Sequence, residues 1–150
     1  MNGPVICGIE DATGAGIASV ARELAERYEV SLVYVHVLAG AGQIEQAARM
    51  LRDAAPGFGE LAIEEAPHPA DGLVELAKER DASFLVVGSH GPRSSLLGSV
   101  SADVSRRAPC PVIVVPPTAE SSGSDVSSEE PEVEGGILRF RVGSAVRKVA

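Results

Sequence analysis

The apolar residues of this chain are concentrated in short runs, which are separated by longer segments that mix polar and apolar residues. The runs are Pro4–Ile9, Ser31–Leu38, Glu60–Ala66, Phe84–Val87 and Val112–Val115. Most of them are nearly continuous in Val, Ile and Leu, which is typical of strands buried on both faces of a parallel sheet. Glu60–Ala66 alternates weakly between polar and apolar residues instead. This run therefore predicts a less buried strand at an edge of the sheet.

Between these runs, apolar residues recur every three or four positions, which predicts amphipathic helices. The predicted helices are Gly16–Tyr28, Gln43–Ala54, Ala70–Arg80 and the segment that ends before Pro109. Strands that alternate with helices are parallel and are joined by right-handed crossovers, with helices on both faces. The pattern predicts the α/β class with a doubly wound, five-stranded parallel sheet.

The loop after the fourth strand carries residues that suit an anion. Gly88 and Gly91 are expected to let the backbone approach a ligand closely and to adopt positive φ. Gly98 and Ser99 stand at the start of the next helix, where unpaired N–H groups and the macrodipole favour phosphate. Arg93 adds a permanent cation. An ordinary strand-to-helix turn with serine caps would also produce this composition.

Taken together, these residues resemble the signature of the universal stress protein family. Gly88-Ser89-His90-Gly91 matches the first half of that signature, and Gly98-Ser99-Val100 matches the second. Ala108–Val115 is similar to the Pro-hydrophobic last strand of the family. The family has nine residues between the two halves, whereas this chain has six, Pro92–Leu97. The resemblance covers about Val5–Pro116.

The resemblance implies a Rossmann-like sheet with strand order 3-2-1-4-5 and a cleft that binds ATP or another adenine nucleotide. Strands 1 and 4 would then place Glu10, Asp11 and the glycine loop at one crevice. Glu10 lies where nucleotide-binding members usually have the Asp that contacts the nucleoside, and Asp11 is a possible substitute. The residues implied to bind the nucleotide are Glu10, Asp11, Val37, Gly88, Gly91, Arg93, Gly98, Ser99 and Val100.

The shortened spacer leaves two hypotheses open. In the first, the chain is an adenine-nucleotide sensor with a weakened phosphate loop and at most slow ATP hydrolysis. In the second, it is a dimeric stress-response scaffold that binds no nucleotide, since Pro92 removes a backbone donor from an already short loop. Valine at Gly98 is expected to abolish nucleotide binding, because a β-branched residue tolerates positive φ poorly.

Composition narrows the remaining function classes. A net charge of −8 argues against a general nucleic-acid binder. The chain has no apolar run long enough to span a membrane and no secretory signal, so a cytoplasmic protein is predicted. The two cysteines, Cys7 and Cys110, are interpreted as small buried residues rather than as a disulfide, and no metal site is predicted.

The composition changes after the last core strand. Residues 4–116 are predicted to form the domain, 117–136 an acidic disordered linker and 137–150 a basic and apolar tail. Ile137–Val142 alternates as an edge strand would, so this tail is expected to join a sheet edge or dock on the acidic surface. Val112–Val115 is predicted to join two copies as a homodimer, because an apolar edge strand is prone to pair. Any protein partner is unknown.

Overall fold

A computed structural model describes residues 2–11, 14–40, 43–55, 59–89 and 98–116, together with the backbone of 132–134 and 137–139. The elements follow in the order β1 (Val5–Gly8), α1 (Ala15–Tyr28), β2 (Leu32–Leu38), α2 (Ile44–Ala54), β3 (Glu60–Glu65), α3 (Pro69–Glu79), β4 (Phe84–Gly88), α4 (Ser99–Arg107), β5 (Val112–Val115), β6 (Glu132–Glu134) and β7 (Ile137–Arg139). The predicted strands and helices of the domain are confirmed to within one or two residues.

Five of the strands form one parallel sheet in the order β3-β2-β1-β4-β5. The doubly wound α/β fold and the strand order implied by the resemblance are therefore confirmed. The order reverses between β1 and β4, which are direct neighbours with Ile6 opposite Leu85. A crevice forms at such a reversal because the connections leave the two strands toward opposite faces of the sheet.

The core has two layers because neighbouring strand residues point to opposite faces. On one face, Val5, Cys7 and Ile113 pack with residues of α1 and α2. On the other face, Ile6 and Leu85 pack with residues of α3 and α4. Central strands need apolar residues at every position, which explains their continuous runs.

The two edges of the sheet differ in character. β3 is confirmed as an exposed edge strand, and three of its six residues are glutamate. β5 forms the opposite edge and is entirely apolar. Among the described residues, none of the helices combines the length and the apolar character that crossing a bilayer requires.

The structure confirms a strand within the predicted Ile137–Val142 segment, as β7, and adds β6, which was not predicted, as its hairpin partner. β6 and β7 pair antiparallel, with Glu132 opposite Arg139 and Glu134 opposite Ile137. Three residues of the segment predicted as an acidic linker thus form a strand. The composition of Gly135-Gly136 favoured a linker, although two glycines between strands are also a hairpin turn sequence.

Candidate nucleotide cleft

A cleft of about 260 Å³ opens at the carboxyl ends of β1, β2 and β4, where the strand order reverses. The ends of the strands form its base, and residues of α1, α3 and α4 contribute to its walls. This volume lies just below the roughly 300–1,000 Å³ that is typical of small-molecule sites. The parallel register produces this arrangement, since it brings the ends of all three strands to one side of the sheet.

The end of β1 supplies the acidic side of the cleft. The backbone stays hydrogen-bonded to β2 for one residue beyond β1, because the Ile9 N–H donates to the Val35 carbonyl at 2.8 Å. Glu10 and Asp11 follow and line the cleft, Glu10 half-buried and Asp11 exposed. The chain then turns into α1, with the Gly14 N–H donating to the Asp11 carbonyl at 3.2 Å. Both predicted carboxylates therefore lie at this site.

The end of β2 supplies Val37, as predicted, and also His36. Val37 packs closely against α3, since a Cβ atom on Gly72 would come within 2.8 Å of Val37 Cγ1. The Nδ1 atom of His36 lies 2.7 Å from the Ile9 carbonyl oxygen. A carbonyl can only accept, so this nitrogen carries the proton, and Nε2 of the neutral ring is an acceptor. Nδ1 of His36 is therefore occupied by a contact within the fold, and the same residue also lines the cleft.

Gly88 ends β4 and lines the cleft, but for a different reason than predicted. Its φ does not lie in the left-handed region. A Cβ atom at this position would come within 2.6 Å of Ile17 Cδ1 from α1. The expectation of positive φ at Gly88 is therefore wrong. The absence of a side chain here leaves room for Ile17 of α1, which would have to shift if a Cβ atom were added.

The N-terminus of α4 meets the cleft at Val100. Gly98 is the N-cap residue, with φ −63° and ψ 166°, and no side chain of the described residues caps this end. The first helical hydrogen bond runs from the Ala102 N–H to the Gly98 carbonyl at 2.9 Å. The N–H groups of Ser99, Val100 and Ser101 consequently have no acceptor within the helix. This end of α4 also carries no acidic residue in its first turn, so it is a favourable position for an anion.

The geometry of Gly98 corrects a second expectation. Its φ of −63° is accessible to any residue, so the predicted intolerance of valine on the ground of positive φ is wrong. Instead, the residue marks where an extended chain enters the helix. The Ser101 hydroxyl donates back to the Gly98 carbonyl at 3.0 Å and is buried.

The structure brings five of the nine predicted residues into the cleft: Glu10, Asp11, Val37, Gly88 and Val100. Gly98 and Ser99 do not line it, although they precede Val100 at the start of α4. Gly91 and Arg93 lie outside the described residues, as do His90 and Pro92.

Several lining residues were missed by sequence reasoning, chiefly Gly8, Ile9, Pro69 and Leu73. The position of Gly8 at the carboxyl end of β1 is a signal that could have suggested it as a lining residue. In the structure, a Cβ atom at Gly8 would come within 3.0 Å of the Leu73 side chain. Pro69 begins α3. Proline is common at the first position of a helix, so its presence there gives no indication of a ligand.

The described lining suits a ligand with both apolar and polar parts. Its side chains are mainly aliphatic, with two carboxylates at the end of β1 and an imidazole acceptor at the end of β2. Lysine and arginine do not occur among the described lining residues. Any anionic part of a ligand is therefore disfavoured at the acidic side and favoured at the start of α4.

Comparison with known proteins gives this arrangement a family context. The model of the Universal stress protein family matches residues 38–116. A universal stress protein of Mycobacterium tuberculosis (strain H37Rv) is 40% identical over 82 residues, which cover 51% of this chain and 56% of that protein. The chain spans about half the length of the curated relatives it matches.

Solved structures match over more of the chain. A universal stress protein in complex with cAMP has a TM-score of 0.62 and 27% identity, covering 78% of this chain and 98% of that one. A universal stress protein from Archaeoglobus fulgidus in complex with dAMP has a TM-score of 0.59 and 25% identity, and the match covers 74% of this chain and 95% of that one. The family match extends over more than half of the 150 residues and includes β4, α4 and β5. This chain belongs to the universal stress protein family.

Proposed function

We propose that the cleft binds an adenine nucleotide and that the chain is a nucleotide-responsive stress protein. The observation that carries the proposal is the meeting, at one strand-order reversal, of an apolar wall, two carboxylates and an uncapped helix N-terminus. A nucleoside has an apolar face and several hydroxyl and amine donors, whereas its phosphate is anionic. The two ends of the cleft match these two parts.

The charges set the orientation of the nucleotide in this proposal. Glu10 and Asp11 accept hydrogen bonds from ribose hydroxyl groups or the adenine amine, and they repel phosphate. The phosphate therefore lies at the N–H groups that open α4. Val37 borders the base, in line with the family resemblance. Gly91 and Arg93 are proposed to complete the phosphate site.

Two solved relatives support the ligand class. Each was determined with an adenine nucleotide that carries a single phosphate, cAMP in one and dAMP in the other. A monophosphate also suits the short spacer of this chain, since six residues that begin with Pro92 offer few amides to a longer phosphate chain. We therefore propose modest affinity, with AMP and ADP bound nearly as well as ATP.

The proposed role is binding rather than catalysis. P-loop enzymes place a lysine after the loop glycines, where it neutralises the phosphate that is transferred. The sequence has no lysine at this position. Nucleotide binding beside this loop is proposed to change contacts with another protein. ATP hydrolysis, if measured, is expected to be slow.

Calorimetry on nucleotide-stripped protein tests this function. AMP, ADP and ATP are each expected to give saturable heat, with dissociation constants within about tenfold of one another, because the same phosphate position anchors all three. Adenosine should bind more weakly, since it lacks the group that meets α4. Absence of both heat and thermal shift with all three nucleotides at millimolar concentration would contradict the proposal.

A dimeric scaffold that binds no nucleotide is the second candidate, favoured by the apolar edge of β5. Two copies would pair antiparallel through Val112–Val115. Ile113 is unsuitable for testing this pairing, because its side chain is 1% exposed and a lysine there would disrupt the core. Val112 is half-buried at the start of the strand, so Val112→Lys can add charge at the edge. Sedimentation that finds only monomer up to high micromolar concentration would exclude this candidate.

A further inference from the structure

The two edges of the sheet are protected in different ways. β3 carries Glu60, Glu64 and Glu65, and charged residues at an edge discourage pairing with another chain. β5 has the sequence Val-Ile-Val-Val and no charge. An uncharged apolar edge is open to pairing with another strand unless another element covers it.

The faces of β5 are already covered, so only its edge is available. Ile113 and Val115 lie in the core layer of α1, and Val114 lies in the layer of α3 and α4. The carbonyls of Pro111 and Val115 accept from the N–H groups of Leu85 and Ser89 at 3.0 and 2.9 Å. Because backbone groups alternate along a strand, the N–H and C=O groups of Val112 and Val114 point away from β4, toward the open edge.

The hairpin lies beside this edge. Cα atoms of β7 come within 8 Å of those of β5, which is closer than the roughly 10 Å between stacked sheets. Helices occupy both faces of β5, so β7 is placed laterally rather than over a face. The hairpin is a separate two-stranded sheet and is not hydrogen-bonded into the five-stranded one.

We propose that the hairpin formed by β6 and β7 covers the β5 edge of its own chain and excludes a second copy from it. The hairpin lies against the β5 edge, and a second copy would need the same edge to pair, so the two arrangements are mutually exclusive. The hairpin is tethered to β5 through residues 117–131, and a tether of this length gives an effective concentration on the order of millimolar. At micromolar protein the covered monomer is favoured, and release of the hairpin promotes dimerisation.

The test opens the hairpin in the full-length chain and measures the dimer dissociation constant by sedimentation. Gly135→Val/Gly136→Val should disfavour the hairpin, because two-residue hairpin loops depend on positive φ, which β-branched residues tolerate poorly. We expect dimerisation at a concentration at least about tenfold lower than for the unmodified chain. Adding Val112→Lys to this variant should abolish the gain, which assigns it to the β5 edge.

A charge exchange provides the matched control. Arg139→Glu places a glutamate opposite Glu132 and should strengthen dimerisation about three- to tenfold, whereas Glu132→Arg/Arg139→Glu should restore the original value. Arg147→Glu makes the same change in net charge outside the hairpin and should have no effect. The proposal is overturned if opening the turn leaves the dimer constant unchanged, or if Arg139→Glu and Arg147→Glu behave alike.

Discussion

The first turn of α4 allows a test in which stability and binding respond in opposite directions. Ser99 is exposed, and this turn has neither an acidic residue nor a side-chain cap. Ser99→Asp introduces a carboxylate beside N–H groups that have no acceptor within the helix, and this stabilises the helix. The same carboxylate lies close to the position proposed for the phosphate of a nucleotide, and so it should repel that ligand.

The magnitudes follow from the position of Ser99 at the surface. A charge in the first turn of a helix contributes about 0.3–1 kcal/mol, which raises Tm by about 1–4 °C for a domain of this size. Two like charges about 4 Å apart repel by about 1 kcal/mol in water and by about 4 kcal/mol at an effective dielectric constant near 20. AMP should therefore bind at least about fivefold more weakly, while adenosine affinity should not change.

Scanning calorimetry and nucleotide titration of the same samples measure both effects. Ser99→Asn is the control, because asparagine has nearly the same shape as aspartate but no charge. It should keep AMP affinity within about twofold of the unmodified protein. If Ser99→Asp raises Tm but binds AMP like the unmodified protein, the helix has responded and the phosphate does not lie at α4. That result would refute the proposed orientation of the nucleotide in the cleft.

Three further predictions follow from burial and from close contacts. Burial raises the pKa of both thiols, and Cys7 is fully buried whereas Cys110 is only half-buried. Because a reagent must reach the sulfur, it should modify one cysteine per native chain and both cysteines in denaturant. Burial raises the pKa of Tyr34 to about 12, above its ordinary value of 10.0. The stability that this group contributes is complete below pH 10 and is lost as the pH rises toward 12, which alkaline denaturation monitored by tyrosinate absorbance should show. Gly88→Ala should weaken AMP binding by displacing the α1 isoleucine into the cleft, whereas Gly40→Ala, with no atom within 4 Å, should not.

The pattern of side chains along the chain was sufficient to predict the secondary structure and the fold class. Strands and helices differ in the period of their apolar residues, and this period is a local property. The glutamates of β3 similarly indicate an edge strand from the sequence alone, because charged side chains are not accommodated between two layers of helices. The Gly98-Ser99 pair indicates where α4 begins, because an unpaired helix end favours such residues.

Contacts between distant segments could not be derived from the same pattern. Glycine permits many conformations, so its presence at positions 88 and 98 did not reveal that neither has positive φ. At Gly88 the requirement comes from Ile17, on a helix that precedes it by some seventy residues. His36 meets the Ile9 carbonyl only because β1 and β2 are neighbours.

The largest difference concerns the residues after β5. Alternation over Ile137–Val142 indicated an edge strand, which β7 confirms over Ile137–Arg139, whereas composition indicated only a linker where β6 forms. The two strands pair as a hairpin beside the apolar edge of β5. Composition measures how much apolar surface a segment contains, but it does not identify which surface of the domain remains to be covered. That surface exists only once β5 has taken its place at the edge of the sheet, and so the position of the hairpin is decided by the tertiary structure.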